Sequence, residues 1–283
     1  MDGRAAAPAA GTILNALATG YGSAFAIDEY VHATVTFEDD DGVLGRIRDH
    51  PDADVALIER SVELVLRRFD GPAGATVETE SDVPMASGLK SSSAAANAAV
   101  LATLDALGEV DSVTREEAAL IGVEAARDVG VTVTGAFDDA SASMLGGVTI
   151  TDNHEDTVLK TETVDWDVTV WVPPEQAFSA RADVGRCERI APMAVLVEEL
   201  AMDGRYHEAM TVNGFAFAAA LERPAEPMIE ALPDASGVSL SGTGPSYVAV
   251  GSVEAMDALA ETWSERDGMI IRTSTRTTGA RVE

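Results

Sequence analysis

Between residues 53 and 69 the apolar positions Val55, Ile58, Val62, Val65 and Leu66 recur every three or four residues, which lays one face of a helix against a core. The period changes to alternation in "GATVETESDV", a strand that leads into "PMASGLKSSSAAANAAV" (84–100). Ser91 to Leu107 is built of strong helix formers, and Gly108 closes it. Thr114, with Glu117 three positions on, has the form of a capping box opening a helix that runs to Val129. The first forty residues read as strands joined by small-residue turns, interrupted by the acidic loop "EDDDG". In the second half, "GAFDDASASMLGGVTI" predicts loop, short helix and strand, and "VDWDVTVWVPP" a strand halted by two prolines. Helices follow over 191–201 and 206–221, then strand, glycine turn and strand in "SGVSLSGTGPSYVAVGS", a helix from Val253 and a last strand. No repeat or low-complexity linker breaks the pattern. The longest polar stretch, "TDNHEDTVLKTETVD", predicts a boundary that separates units 1–155 and 156–283. Mixed α+β in two lobes is the expected class.

Composition changes the surroundings of this fold more than the fold itself. Of 283 residues, 48 are acidic and 19 basic, a net charge of −29, yet 46% are hydrophobic, enough for a substantial core. The acids are spread along the chain, which predicts a solvated acidic surface of the kind that strong salt screens, and the composition resembles that of proteins from extreme halophiles. Such a surface argues against nucleic acid or anionic membrane as a partner. No apolar run has the length of a membrane span and no signal pattern opens the chain, so the cytoplasm is the expected compartment. The single cysteine, Cys187, excludes an internal disulfide, and four scattered histidines show no metal-ligand spacing.

The chemistry concentrates around Lys90. Only two lysines accompany 17 arginines, and one of them sits between a glycine turn and a helix start. Gly88 supplies a turn without Cβ, Ser91, Ser92 and Ser93 supply hydroxyls and N–H groups, and Ala94, Ala95 and Ala96 propagate the helix. A helix N-terminus of this kind attracts phosphate, and its serines can also ligate Mg²⁺. The same residues would equally make an ordinary serine cap on an alanine-rich helix. It is not a Walker loop, because both lysines follow leucine rather than glycine.

Pro84, Gly88, Leu89, Ser91 and Ser92 form P-x-x-x-G-L-x-S-S, which resembles the ATP loop of the GHMP kinases, and "SLSGTGPSYVAV" (239–250) resembles their C-terminal glycine motif. Asp138, Asp139, Gly146 and Gly147 fit the same pattern. The "GLKSSSA" variant, "GTILNALATGYGSAFAI" and "VTGAFDDA" resemble the archaeal shikimate kinase branch of that superfamily, over Gly11 to about Val250. The resemblance implies a two-lobed GHMP fold, with an N-terminal lobe like ribosomal protein S5 domain 2 and a ferredoxin-like C-terminal lobe. It implies ATP and Mg²⁺ as cofactors and transfer to the 3-hydroxyl of shikimate, a step of aromatic amino-acid biosynthesis. Another alcohol such as homoserine, or a sensor that binds without transferring, are the alternatives. By motif matching, Pro84, Met85, Ala86, Ser87, Gly88, Leu89, Lys90 and the run Ser91–Ala96 hold ATP, with Gly242, Thr243 and Gly244 packed beside them. Ser92 and Glu124 hold the metal, with Asp128 as the alternative acid. Most members carry glycine where Lys90 stands. Asp138 or Asp139 acts toward the substrate hydroxyl together with Lys90; spacing does not separate the two acids, and Asp138 is favoured. The lysine that supports this acid in mevalonate kinase-like members is replaced by Thr12. For the substrate, Arg181, Arg186 and Arg189 are candidates for the carboxylate, and Thr12, Asn15 and Ser141 for the hydroxyls.

Overall fold

The structure is a computed structural model that describes all residues except 1, 49, 133–134 and 176–181. Two long antiparallel strands, β1 (Asp2–Leu14) and β2 (Tyr21–Glu38), form the spine of a seven-stranded sheet ordered β11-β1-β2-β4-β3, with β5 and β6 attached at the other part of β2. Here β3 is Gly42–Ile47, β4 Gly74–Ser81, β5 Val148–Asp152, β6 Thr157–Glu162 and β11 Arg281–Val282. β3 runs parallel to β4; the other pairs are antiparallel. Four helices belong to this part of the chain: α1 (Ala56–Arg68), α2 (Ser91–Leu107), α3 (Arg115–Asp128) and α4 (Phe137–Leu145).

Small residues decide how closely α2 lies on β1. The strand reads "DGRAAAPAAGTIL", and a Cβ on Gly3 would fall 2.0 Å from the Ala102 carbonyl oxygen of α2. Alanine on both partners lets the helix backbone approach the strand backbone. Valine and leucine from β2, β4, α1 and α2 fill the rest of this core, including Val35, Val62, Val77 and Leu101. α3 opens with the capping box of Thr114 and Glu117 and turns Gly122 onto Ala96 and Asn97 of α2. Asn97, fully buried, donates its amide to the Ala140 carbonyl and ties α2 to α4.

A second, four-stranded antiparallel sheet has the order β10-β7-β9-β8, from β7 (Asp167–Val172), β8 (Gly237–Leu240), β9 (Tyr247–Gly251) and β10 (Met269–Ser274). With it go α5 (Val184–Glu188), α6 (Ala191–Met202), α7 (Tyr206–Ala220), α8 (Glu226–Ala231) and α9 (Val253–Trp263). Its core holds Phe217, Tyr247, Trp263 and the buried Cys187. The expected division at 155/156 falls inside the β5–β6 hairpin: the first sheet continues to Glu162 and regains residues 281–282 from the far end of the chain. β6 is polar because it lies at an edge, so its alternation looks like a linker in one dimension. Among the described residues no helix is long and apolar enough to cross a membrane.

Candidate active site

The loop from Pro84 to Lys90 is held by its carbonyls. The Ser87 carbonyl accepts from the Ser246 N–H at 3.1 Å, the Leu89 carbonyl from the Ala10 N–H at 3.1 Å, and the Gly88 carbonyl from the Ser241 hydroxyl at 2.9 Å. Ser87 closes the turn by donating its hydroxyl to the Pro84 carbonyl at 2.7 Å. Three of the loop's acceptors are thereby fastened to the protein. Ala94 is the first residue whose N–H closes on the helix, at the Lys90 carbonyl, so those of Ser91, Ser92 and Ser93 have no partner within α2. Ala86, Gly88 and Lys90 all have positive φ, at 54°, 88° and 63°. Such backbone makes the concavity that binds anions, and at a non-glycine residue it stores strain of about 1–2 kcal/mol.

The C-terminal glycine motif lies directly against this loop. A Cβ on Gly88 would meet the Ser241 carbonyl oxygen at 2.4 Å and the Gly244 carbonyl oxygen at 3.0 Å. Gly88→Ala therefore meets both a forbidden φ and a backbone wall. We expect it to lower stability by about 1–3 kcal/mol and raise the KM for nucleotide. Thermal unfolding with nucleotide titration checks this, and unchanged values in both would dissociate the contact from the site.

Lys90 points from the helix start into the interior. Its Nζ lies 2.7 Å from Oδ1 of Asp139, with the two side chains 7% and 18% exposed. Gly242 approaches the same ammonium so closely that a Cβ there would sit 3.0 Å from Nζ. Asp138, the preceding residue on α4, is buried; one oxygen, Oδ1, accepts from the Asn153 amide at 2.7 Å, and the other faces Gly22 of β2. Burial, then repulsion from Asp139, push the Asp138 carboxyl up to about 7, while Lys90 and the Asn153 amide act the other way. The structure thus brings Lys90, Asp138, Asp139 and both glycine motifs into one cluster.

Other expected site residues go elsewhere. Glu124 stands on the outer face of α3, 58% exposed, 3.9 Å from Arg67 of α1, and Asp128 is bonded at 2.7 Å to Arg60 of the same helix. Helical spacing correctly places these two acids on one face, but α3 turns its small residues to α2 and its charges to α1. Both acids thus face arginines of α1, and among the described residues no group of three His, Cys, Asp or Glu could hold an ion. Thr12, Asn15 and Ser141 are engaged within the protein. Thr12 accepts the Gly242 N–H at 2.7 Å, Asn15 donates its amide to the Gly242 carbonyl at 2.8 Å, and Ser141 shares a hydrogen bond of 2.9 Å with Thr149. All three are buried, and they hold the glycine motif and α4 in place.

Of the arginines, Arg181 lies outside the described residues. Arg186 ion-pairs with Glu222, whereas Arg189 has no side-chain partner among the described residues. Both line an open cavity of about 600 Å³ with Asp183, Ile190, Ala219 and Ala220. Leu17 and Ala18 pack with the core that holds Cys187 and Phe217, while Gly20 contacts His154 and Gly22 contacts Asp138.

The family model for the GHMP kinases N terminal domain matches residues 56–147. The chain is 59% identical over 282 residues to a shikimate kinase of Halobacterium salinarum, covering 99% of each chain. It belongs to the GHMP-type shikimate kinase family. A shikimate kinase of Methanothrix thermoacetophila is 50% identical over 284 residues, covering 100% of this chain and 96% of that one. The homoserine kinase of Cytophaga hutchinsonii has the same fold, with a TM-score of 0.81 at 17% identity over 100% of this chain and 97% of its own. This kinase therefore combines the two-lobed GHMP fold with a lysine-and-acid cluster at the mouth of its glycine loop.

Proposed function

We propose that this kinase transfers the γ-phosphoryl group of ATP to the 3-hydroxyl of shikimate. The observation that carries the reading is the junction of Lys90 with Asp139 at the start of α2, whose first N–H groups have no partner within the helix. Phosphoryl transfer requires charge neutralisation and positioning more than covalent chemistry. The loop and the start of α2 hold the phosphates, and Lys90 supplies a compact positive charge at the boundary between nucleotide and acceptor. Asp139, rather than the Asp138 favoured from the sequence, receives the hydroxyl proton. It is the more exposed of the two acids, whereas Asp138 has one oxygen bonded to Asn153 and the other against Gly22. Mg²⁺ neutralises phosphate charge when it is bound, and the chain's own contribution to it is Ser92 on the first turn of α2; Glu124 does not fit that role.

Shikimate carries a carboxylate, and Arg189 with Arg186 at the open cavity supports its capture. Arg189→Ala should raise the KM for shikimate roughly tenfold to a hundredfold, from loss of about 2–3 kcal/mol, and leave that for ATP nearly unchanged. A coupled assay of ADP release over shikimate, homoserine, mevalonate and galactose, in molar KCl, tests the whole reading. Turnover of homoserine or mevalonate with shikimate ignored would reject the substrate. Nucleotide binding without turnover of any alcohol would reject the activity.

A further inference from the structure

Asn153 follows β5, and its backbone N–H and both polar atoms of its side chain are engaged. Its backbone N–H donates to the Gly20 carbonyl at 2.9 Å. Its side-chain Oδ1 accepts from the Thr151 hydroxyl at 2.7 Å, and its Nδ2 donates to Asp138 Oδ1 at 2.7 Å. Thr151, Asn153 and Asp138 are all at least nine-tenths buried. A hydroxyl has one proton to give, and of the two acceptors within reach of Thr151 the amide oxygen at 2.7 Å is much closer than the Gly22 carbonyl at 3.4 Å, which sets which end of the amide faces the acid. The amide can then only donate to Asp138.

We propose that Asn153 is a positioning residue for phosphoryl transfer: oriented by Thr151 and anchored at Gly20, it keeps Oδ1 of Asp138 an acceptor and holds that carboxyl in its charged form beside Asp139. The inference rests on the reading of Asp139 as the group that meets the hydroxyl. An ionised Asp138 adds a second negative charge beside the acid that meets the hydroxyl, and Lys90 balances the pair. When Asp138 takes up a proton, that second charge is lost. The charged groups acting on Asp138 are Asp139 on its own helix and Lys90 from the loop before α2. β2 presents Gly22 and the end of β5 presents the neutral Thr151–Asn153 pair, while the His154 ring turns to the Thr19 carbonyl at 3.1 Å. Burial and then Asp139 drive the Asp138 carboxyl toward neutrality while Lys90 and then the Asn153 amide oppose them, so loss of the amide moves the balance further toward neutrality.

Two variants test this in the full chain. Asn153→Ala removes the donor. Thr151→Val keeps the shape of its site and every group at Asp138, but frees the amide to turn over. The acid limb of kcat/KM against pH should move to higher pH by about one unit in Asn153→Ala and by less in Thr151→Val. Rates should return toward wild type at pH 9. Carbon-13 NMR of the Asp138 carboxyl in substrate-free protein should show its titration moving the same way. An acid limb that stays in place in both variants overturns the proposal, whether or not the carboxyl titration moves. So does an equal loss of activity at every pH, the mark of a purely structural role. The NMR arm needs no substrate, so a failed shikimate assignment is separated from a failed assignment of Asn153. If Asn153→Ala does not fold, Thr151→Val alone decides.

Discussion

Asp139→Asn should lower kcat by about 10²–10⁴ while the KM values for both substrates change little. The amide has nearly the same shape but cannot take a proton, and it withdraws the negative partner of Lys90 from a contact of 2.7 Å. Asp138→Asn should reduce kcat less, and it should also stabilise the protein at pH 8. The sign follows from the direction of the shift. A carboxyl with a folded-state pKa of about 7, against 3.8 ordinarily, favours the fold most below about pH 4. That contribution is lost as pH rises from there through 7. Above it the buried charge is a burden, which the neutral amide removes. Steady-state kinetics with thermal unfolding at pH 5 and pH 8 measures both effects. A larger loss of kcat in Asp138→Asn than in Asp139→Asn would exchange the two roles.

The two lysines should separate cleanly. Lys90→Gly removes a left-handed non-glycine residue, so the variant should unfold at no lower temperature than wild type, yet transfer about 10²–10³ times more slowly. Lys90→Arg should not rescue it, because Gly242 leaves no space around the ammonium for a planar fork. Lys160 is no bystander either. Its Nζ donates to the Met202 carbonyl at 3.1 Å, pairs with Glu162 at 3.0 Å and lies 5.3 Å from the centre of the Tyr206 ring. It caps the end of α6 from β6, across the two sheets. Lys160→Ala should cost about 1 kcal/mol of stability and leave transfer at the wild-type rate. Equal, mild kinetic effects of Lys90→Gly and Lys160→Ala would detach Lys90 from the chemistry.

Legibility tracked how local the determinant was. α2 and α3 follow from the serine start, Gly108 and the capping box, because those signals act within one turn. The glycine loop and the Asp138–Asp139 pair were visible because they are contiguous. Which face a helix turns inward was less visible: Glu124 and Asp128 repeat correctly, but small residues rather than charges decide what packs on α2. The single length of β1 was hidden because alanine and glycine lack strand character and function there only through what lies above them. Asn153 left no local signal at all. Beyond Thr151, two positions before it, its role depends on Gly20 and Asp138 from two other stretches, and only the fold assembles them.

The return of residues 275–283 to the first sheet has a consequence for the birth of the protein on the ribosome. Ala5 pairs with Val282, the Gly147 N–H donates to the Arg276 carbonyl, and the Ala280 N–H reaches the Ser143 carbonyl. Gly279 packs so tightly on the end of α4 that a Cβ there would lie 2.0 Å from the Met144 carbonyl oxygen. The helix that carries both acids is thus clasped by residues more than 130 positions after it in sequence. During translation the emerging N-terminal sheet waits with an open edge at β1, a surface that invites pairing with other chains. Contacts of such long sequence separation also slow the last step of folding. The acid pair can reach its final packing only once residues 276–282 have emerged, so a chain stalled on the ribosome before them should hold its first core and lack activity.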